Sequence, residues 1–240
     1  MGTLKPKGWG NDDLTEFFDA SRMNSFATFV QFYPEYSKIL DIDNEFKKIS
    51  NNLDQSENQF CVFLLHRSHS AYRASAQLAI SGQIPEAYMV LRGCLENALY
   101  GFYFHFYHDA LSVWLDRNSS DKAKQKVKNE IRPAGMLKLL KEKNKDLGNI
   151  ATSLYDMMID YGAHPNPNAI RKNMSIFKET DGTIVYRSKL LSGNTPELHQ
   201  CIELVSRTGV CCLQIFMQIY KERFDSLDIT ARLNKISVGL

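Results

Sequence analysis

The sequence predicts an all-α protein, a helical bundle of about six to eight helices with one small β-hairpin near residues 175–189. Three observations lead there. Apolar residues recur at spacings of three and four over long stretches, as one face of a helix requires. Those stretches are punctuated by Pro, Gly and Asn rather than by the alternating patterns of strands. The period changes to two in a single place, around Asp181-Gly182. The chain has 240 residues, 44% hydrophobic and 23% charged. At that size folding hides roughly 70–75% of the surface the unfolded chain exposes, so a core is sufficient for stability without metal or disulfide.

The elements follow in order. Asn11 stands as the cap of a helix carrying Leu14, Phe17, Phe18, Phe26, Phe29 and Val30, which Pro34 ends near Tyr33. A second helix runs to about Leu53. Ser56 and Glu57 open a long apolar-periodic run through Ile80, stopped at Gly82. Pro85 starts the longest helix, to about Arg117, with Tyr88, Leu91, Leu95, Leu99, Phe102, Phe106 and Trp114 on several faces, so it is placed centrally. Pro133 begins another helix, and a further one spans about Leu147 to Asp160 before the loop Tyr161-Gly162-Ala163-His164-Pro165-Asn166-Pro167-Asn168. Ser175–Glu179 and Thr183–Lys189 flank the hairpin turn. Thr195-Pro196-Glu197 opens the last long helix, to about Arg223. Residues 1–240 read as one domain, with 1–10 a flexible arm and 225–240 a loosely packed tail.

Charge is nearly balanced, Lys+Arg 29 against Asp+Glu 27, which excludes a uniformly basic nucleic-acid wrapper. Residues 121–146 depart from that balance. Nine Lys or Arg oppose Asp121, Glu130, Glu142 and Asp146, a local +5 against −3 elsewhere. The five cysteines, 61, 94, 201, 211 and 212, are odd in number and lack C-x-x-C spacing, and residues 1–10 carry no apolar leader segment. A cytoplasmic protein with reduced thiols is expected. The aromatic window Ala98–Tyr107 is half the length of a membrane span, so no membrane partner is expected.

Phosphate loops, H-E-x-x-H, nucleophile-elbow and EF-hand patterns are absent, as is any Glu-x-x-His pair. No metal and no cofactor are therefore expected. The candidates are polar residues on helices that ought to be buried. His66, His69, Arg73 and Gln77 recur at three and four on one helix, and Arg92 and Glu96 are four apart on the next. An antiparallel hairpin about Gln83 sets Arg73 level with Gly93 and Ser70 level with Glu96, so the two stripes face each other. Glu96 neutralises only one of the two arginines, and the surplus cation suits an anionic ligand. His164 joins the set from its loop, beside Tyr161. The aromatic run 100–107 reads as core or dimer interface, because seven of its eight residues are aromatic or His and point all round the helix.

Tyr72-Arg73-Ala74-Ser75-Ala76-Gln77-Leu78, Pro85-Glu86-Ala87-Tyr88-Met89-Val90-Leu91-Arg92-Gly93-Cys94-Leu95-Glu96 and Tyr161-Gly162-Ala163-His164-Pro165 resemble a bacterial all-helical family of unknown function related to the HEPN-like domains. The resemblance covers about half the chain, residues 56–168. It implies an often dimeric bundle with the Arg92-Glu96 helix central and the His164-Pro165 turn adjoining it. Many HEPN domains carry a ribonucleolytic R-x(4 to 6)-H element. Here no arginine has histidine four to six residues later, so a metal-independent ribonuclease requires His164 to meet Arg92 or Arg73 through folding. Three functions are therefore expected in turn: a pocket of Arg73, Arg92, Glu96, His164, His66, His69 and Tyr161 binding an anionic ligand, nucleotide or nucleic acid; the ribonuclease; and a structural homodimer module.

Overall fold

The computed structural model describes residues 5–53, 59–163, 174–238 and 240. The fold is all-α with one two-stranded antiparallel hairpin, as the periodicity predicts.

Helix α1 (Asp13–Gln31) is capped by Asp12, whose carboxylate accepts from the Thr15 amide at 2.9 Å, one residue later than Asn11. Pro34 does not mark a long break. It sits in the first turn of α2 (Tyr33–Ser50), where its missing N–H costs nothing. Residues 5–10 fold back on α1 rather than forming a free arm: Trp9 packs against Phe18, and Lys5 pairs with Asp19 at 2.6 Å.

Helices α3 (Gln59–Ile80) and α4 (Ile84–Phe106) form the central antiparallel hairpin. Gly82 turns it with φ +86°, where a Cβ would come within 2.2 Å of the Ser192 carbonyl oxygen. The helix expected to continue to Arg117 stops at Tyr107, and α5 (His108–Leu115) turns back. The turn brings Trp114 against Phe60, Tyr100 and Phe104, so its ring is covered instead of projecting from a straight rod.

The basic segment forms α6 (Asp121–Glu130), capped by Ser120, and α7 (Pro133–Lys143). Val127 alone of α6 is buried, whereas α7 buries Met136, Leu137, Leu139 and Leu140. Helix α8 (Lys145–Met158) passes into one π turn, Ile159–Ala163. The hairpin of β1 (Met174–Lys178) and β2 (Ile184–Ser188) pairs Ile176 with Tyr186, closed by Gly182 at φ +90°.

Helix α9 (Pro196–Ile219) is capped by Thr195 and buries fourteen of its residues against α4, α2 and α3. Its length and apolar composition suffice to cross a membrane, yet 67% of its most apolar window is buried, as the core helix of a bundle requires. Gly209 lets it approach: a Cβ there would lie 2.5 Å from the Tyr72 ring and 2.8 Å from Ile42. Beyond α9 the chain is not a loose tail. Helices α10 (Lys221–Ser226) and α11 (Ile229–Ser237) bury Phe224, Ile229 and Leu233, and Arg232 reaches Glu45 of α2 at 3.1 Å. Ile229 and Leu233 stand four apart, a single helical face too short to register as a period.

Candidate functional site

The register of the α3–α4 hairpin decides which polar groups meet. The Ser68 hydroxyl donates to the Cys94 carbonyl at 3.0 Å, and the Cys61 thiol to the Gly101 carbonyl at 3.2 Å. Counting outward from those pairs sets Arg73 level with Met89 and Arg92 level with Ser70, one helical turn from the expected register. The turn is centred on Ser81 rather than Gln83, because Gly82 and its neighbours belong to the Gly-terminated end of α3. The two polar stripes therefore do not face each other. Small groups line the seam, and the arginines depart in different directions.

Arg73 reaches α2. Its Nε and Nη2 donate to the two oxygens of Asp43 at 2.6 and 3.0 Å, a two-pronged pair. His69 Nε2 meets Asp43 Oδ1 at 2.6 Å, and Lys47 Nζ meets Oδ2 at 3.0 Å. His69 is buried, with its ring stacked on Phe46 at 5.0 Å and 6°. His66 and Gln77 of the same expected stripe are exposed, and the Arg73 side chain is 51% exposed. Their places on α3 fall outside the face that Ser68, Tyr72, Ser75 and Ala79 bury.

The electrostatics of this cluster follow from burial and pairing. Burial of Asp43 pushes its carboxyl up, but hydrogen bonds from Arg73, His69 and Lys47 outweigh it and hold the group well below the usual carboxylate range. Burial of His69 pushes its imidazole below the ordinary value, against the raising effect of Asp43. His69 is then neutral at neutral pH, with its proton on Nε2 for Asp43 to accept. One negative charge thus faces two permanent positive charges.

The cluster stands at one end of a cleft of about 260 Å³ between α1, α2 and α3. Asp43, Arg73 and Gln77 give its polar end, and Tyr36, Ile39, Leu40, Tyr72, Ala76 and Ile80 its apolar body. Tyr72 is fully buried and donates to the Ile39 carbonyl at 3.1 Å, which fixes the floor. A larger depression of about 620 Å³ lies near the α9–α10 junction, but its charged lining, Lys221, Glu222 and Arg223, is exposed surface.

Arg92 belongs to a second, separate cluster. Its Nε donates to Glu96 Oε1 at 2.8 Å, the Tyr155 hydroxyl of α8 donates to the same oxygen at 2.9 Å, and the guanidinium lies over the Tyr155 ring at 5.5 Å. Burial, then Glu96, raises Tyr155 to about 12. Tyr161, in the π turn, packs on Tyr88 with ring centroids 6.3 Å apart. His164 lies outside the described residues, and so does any meeting of it with either arginine.

Of the expected residues, the structure joins Arg73 with His69 and Arg92 with Glu96, and keeps the pairs apart. Sequence reasoning missed Asp43, Lys47 and Tyr155. Asp43 and Lys47 stand four apart on α2, a spacing that marks an ion pair but not the helix it faces. Among the described residues no group of three or more His, Cys, Asp or Glu has the geometry to hold a metal ion. The five cysteines are free and buried. No known protein family, curated protein or solved structure matches this chain.

Proposed function

We propose that this chain is a HEPN-like helical binding module that takes a small amphipathic anion in the cleft between α2 and α3, its apolar body over Tyr36, Ile39 and Tyr72 and its carboxylate or phosphate toward Arg73 and Lys47. The observation that carries the reading is the charge count of the cluster beside the apolar cleft: Asp43 and Arg73 line its polar end, and Lys47 pairs with Asp43 from behind, one carboxylate against two permanent cations. Converging polar groups with perturbed titration at the end of an apolar cavity are the usual marks of a ligand site. The HEPN-like part of the reading rests on the sequence motifs around Arg73 and Arg92 alone.

Isothermal titration against phenylacetate, octanoate and adenosine monophosphate tests the reading. Wild-type protein is expected to bind at least one of them, and Arg73→Ala with Lys47→Ala to lose at least roughly tenfold in affinity, the worth of one charge-assisted hydrogen bond. Asp43→Asn carries the opposite sign: with the competing carboxylate gone, an anion binds more tightly. Wild-type protein that binds none of the three probes, or a double variant that binds as wild type, overturns it.

A further inference from the structure

Helix α1 is packed inside out. Its inward stripe at i, i+4, i+7 and i+11 is Phe17, Ser21, Asn24 and Thr28, three of them polar. They dock by hydrogen bonds: Asn24 Nδ2 donates to the carbonyls of Ser81 at 2.8 Å and Ser192 at 2.9 Å, and Gln83 donates to Ser21 Oγ at 3.4 Å. The outward half of the helix carries Leu14 61% exposed, Phe18 45%, Met23 59%, Phe26 58%, Phe29 39% and Val30 76%, continued by Tyr33 at 57%. A surface helix normally buries its apolar face and wets its polar one. Here the order is reversed, and the described residues of the chain leave most of the apolar face uncovered.

The chemistry of the face selects that partner. Residues 23–34 contain no charged residue, whereas Asp12, Asp13, Glu16 and Asp19 stand at the other end of the helix. The one basic residue of α1, Arg22, is paired with Asp19, as is Lys5, so the helix offers no unpaired cation to nucleic acid or to an anionic lipid surface. An uncharged centre suits a two-fold axis, because any charge near such an axis meets its own copy. Two α1 helices crossing antiparallel about Phe26 place their acidic first turns roughly 35–40 Å apart at 1.5 Å per residue, several screening lengths. Met23, Phe26, Phe29, Val30 and Tyr33 stand within about 10 Å of that axis, and at roughly 150–250 Å² per large side chain their exposed parts come to roughly 600 Å², which is the share each partner gives at the lower end of specific stable interfaces.

We infer that the chain forms a two-fold homodimer through the outward face of α1, centred on Phe26 and Val30. This surface differs from the aromatic run of α4, of which Phe102 and Phe104 lie in the core, and the inference does not rest on the cleft ligand.

Sedimentation velocity and multi-angle light scattering on the full chain at on the order of 10 µM are expected to give twice the 27.5 kDa chain mass. Phe26→Glu and Val30→Glu are each expected to give the chain mass with an unchanged circular dichroism spectrum, since both side chains point outward. Should either glutamate variant fail to fold, Phe26→Ser with Val30→Ser is expected to weaken the dimer at least roughly tenfold. The dimer is expected to persist between about 0.05 and about 0.5 M salt, because its centre is uncharged. A wild-type monomer, a dimer indifferent to all these substitutions, a dimer dissolved by salt, or a monomer that floats with phosphatidylcholine vesicles each overturns the inference.

Discussion

Asp43 concentrates more interaction than any other polar side chain in the cleft, since Arg73, His69 and Lys47 all converge on it. Asp43→Asn keeps the shape but removes the charge and one of the two acceptor oxygens, so that an amide NH2 faces Arg73 Nη2 and Lys47 Nζ or their neighbours. The expected loss is about 2 kcal/mol, a fall of roughly 5 °C in thermal midpoint for a chain of this length, read by circular dichroism. The two titrations have distinct pH windows. Asp43 is depressed on folding, so its contribution is present above the unfolded value near ~4 and is lost as pH falls through the folded one. His69 is also depressed on folding, so the unfolded chain takes up its proton first and stability declines as pH drops through ~6.5. The thermal midpoint of the wild type therefore falls between about pH 7.5 and about pH 5.5, and His69→Gln flattens that limb. None of this was legible at residue level: Arg73 and His69 stand out as polar on an apolar helix, but their acceptor is 30 and 26 positions earlier, respectively, on another helix.

At the scale of elements the legible part is that which local chemistry dictates. The Asp181-Gly182 turn, the Thr195-Pro196 start, Pro133 at a helix entry and Gly82 at a helix exit all act within a few residues, and each appears where the sequence places it. What failed depends on the relative placement of elements. Shifting the centre of the α3–α4 turn by two residues moves the pairing of the helices by four, and that single step separates Arg73 from Arg92. The break at Tyr107 is likewise tertiary, since Trp114 needs the rings of Phe60, Tyr100 and Phe104 to cover it. Helix α1 makes the same point in reverse: its apolar residues predicted a helix correctly, but not that they face outward. Its attachment is polar and therefore fragile. Asn24→Ala removes two hydrogen bonds to carbonyl groups and is expected to cost about 1–2 kcal/mol locally, seen as faster amide exchange across α1 while α3 and α4 keep their protection.

For the whole molecule, the decisive feature is that α3, α4 and α9 meet through small groups. Ser68, Cys94 and Cys212 lie in the seam, with Ser68 Oγ 3.3 Å from Cys94 Sγ and the two sulfurs 3.6 Å apart, while Gly209 admits the Tyr72 ring. Close approach of three long helices leaves no room for local opening, so these thiols reach solvent when the core as a whole comes apart. Burial also raises Cys201 and Cys211 to about 12 and Cys212 well above the ordinary thiol value, which leaves almost no thiolate in the folded state. The cysteines thus become reporters of global stability. Ellman's reagent is expected to modify the buried thiols together and slowly, at a rate set by the unfolded fraction. Gly209→Ala places a methyl group 2.5 Å from the Tyr72 ring and 2.8 Å from Ile42, an overpacking that costs about 1–3 kcal/mol. Labelling of all five cysteines then accelerates by the same factor, roughly tenfold for each 1.4 kcal/mol lost. Acceleration confined to Cys201, Cys211 and Cys212, the three thiols of α9, would mean that α9 detaches alone and that the three helices do not open as one unit.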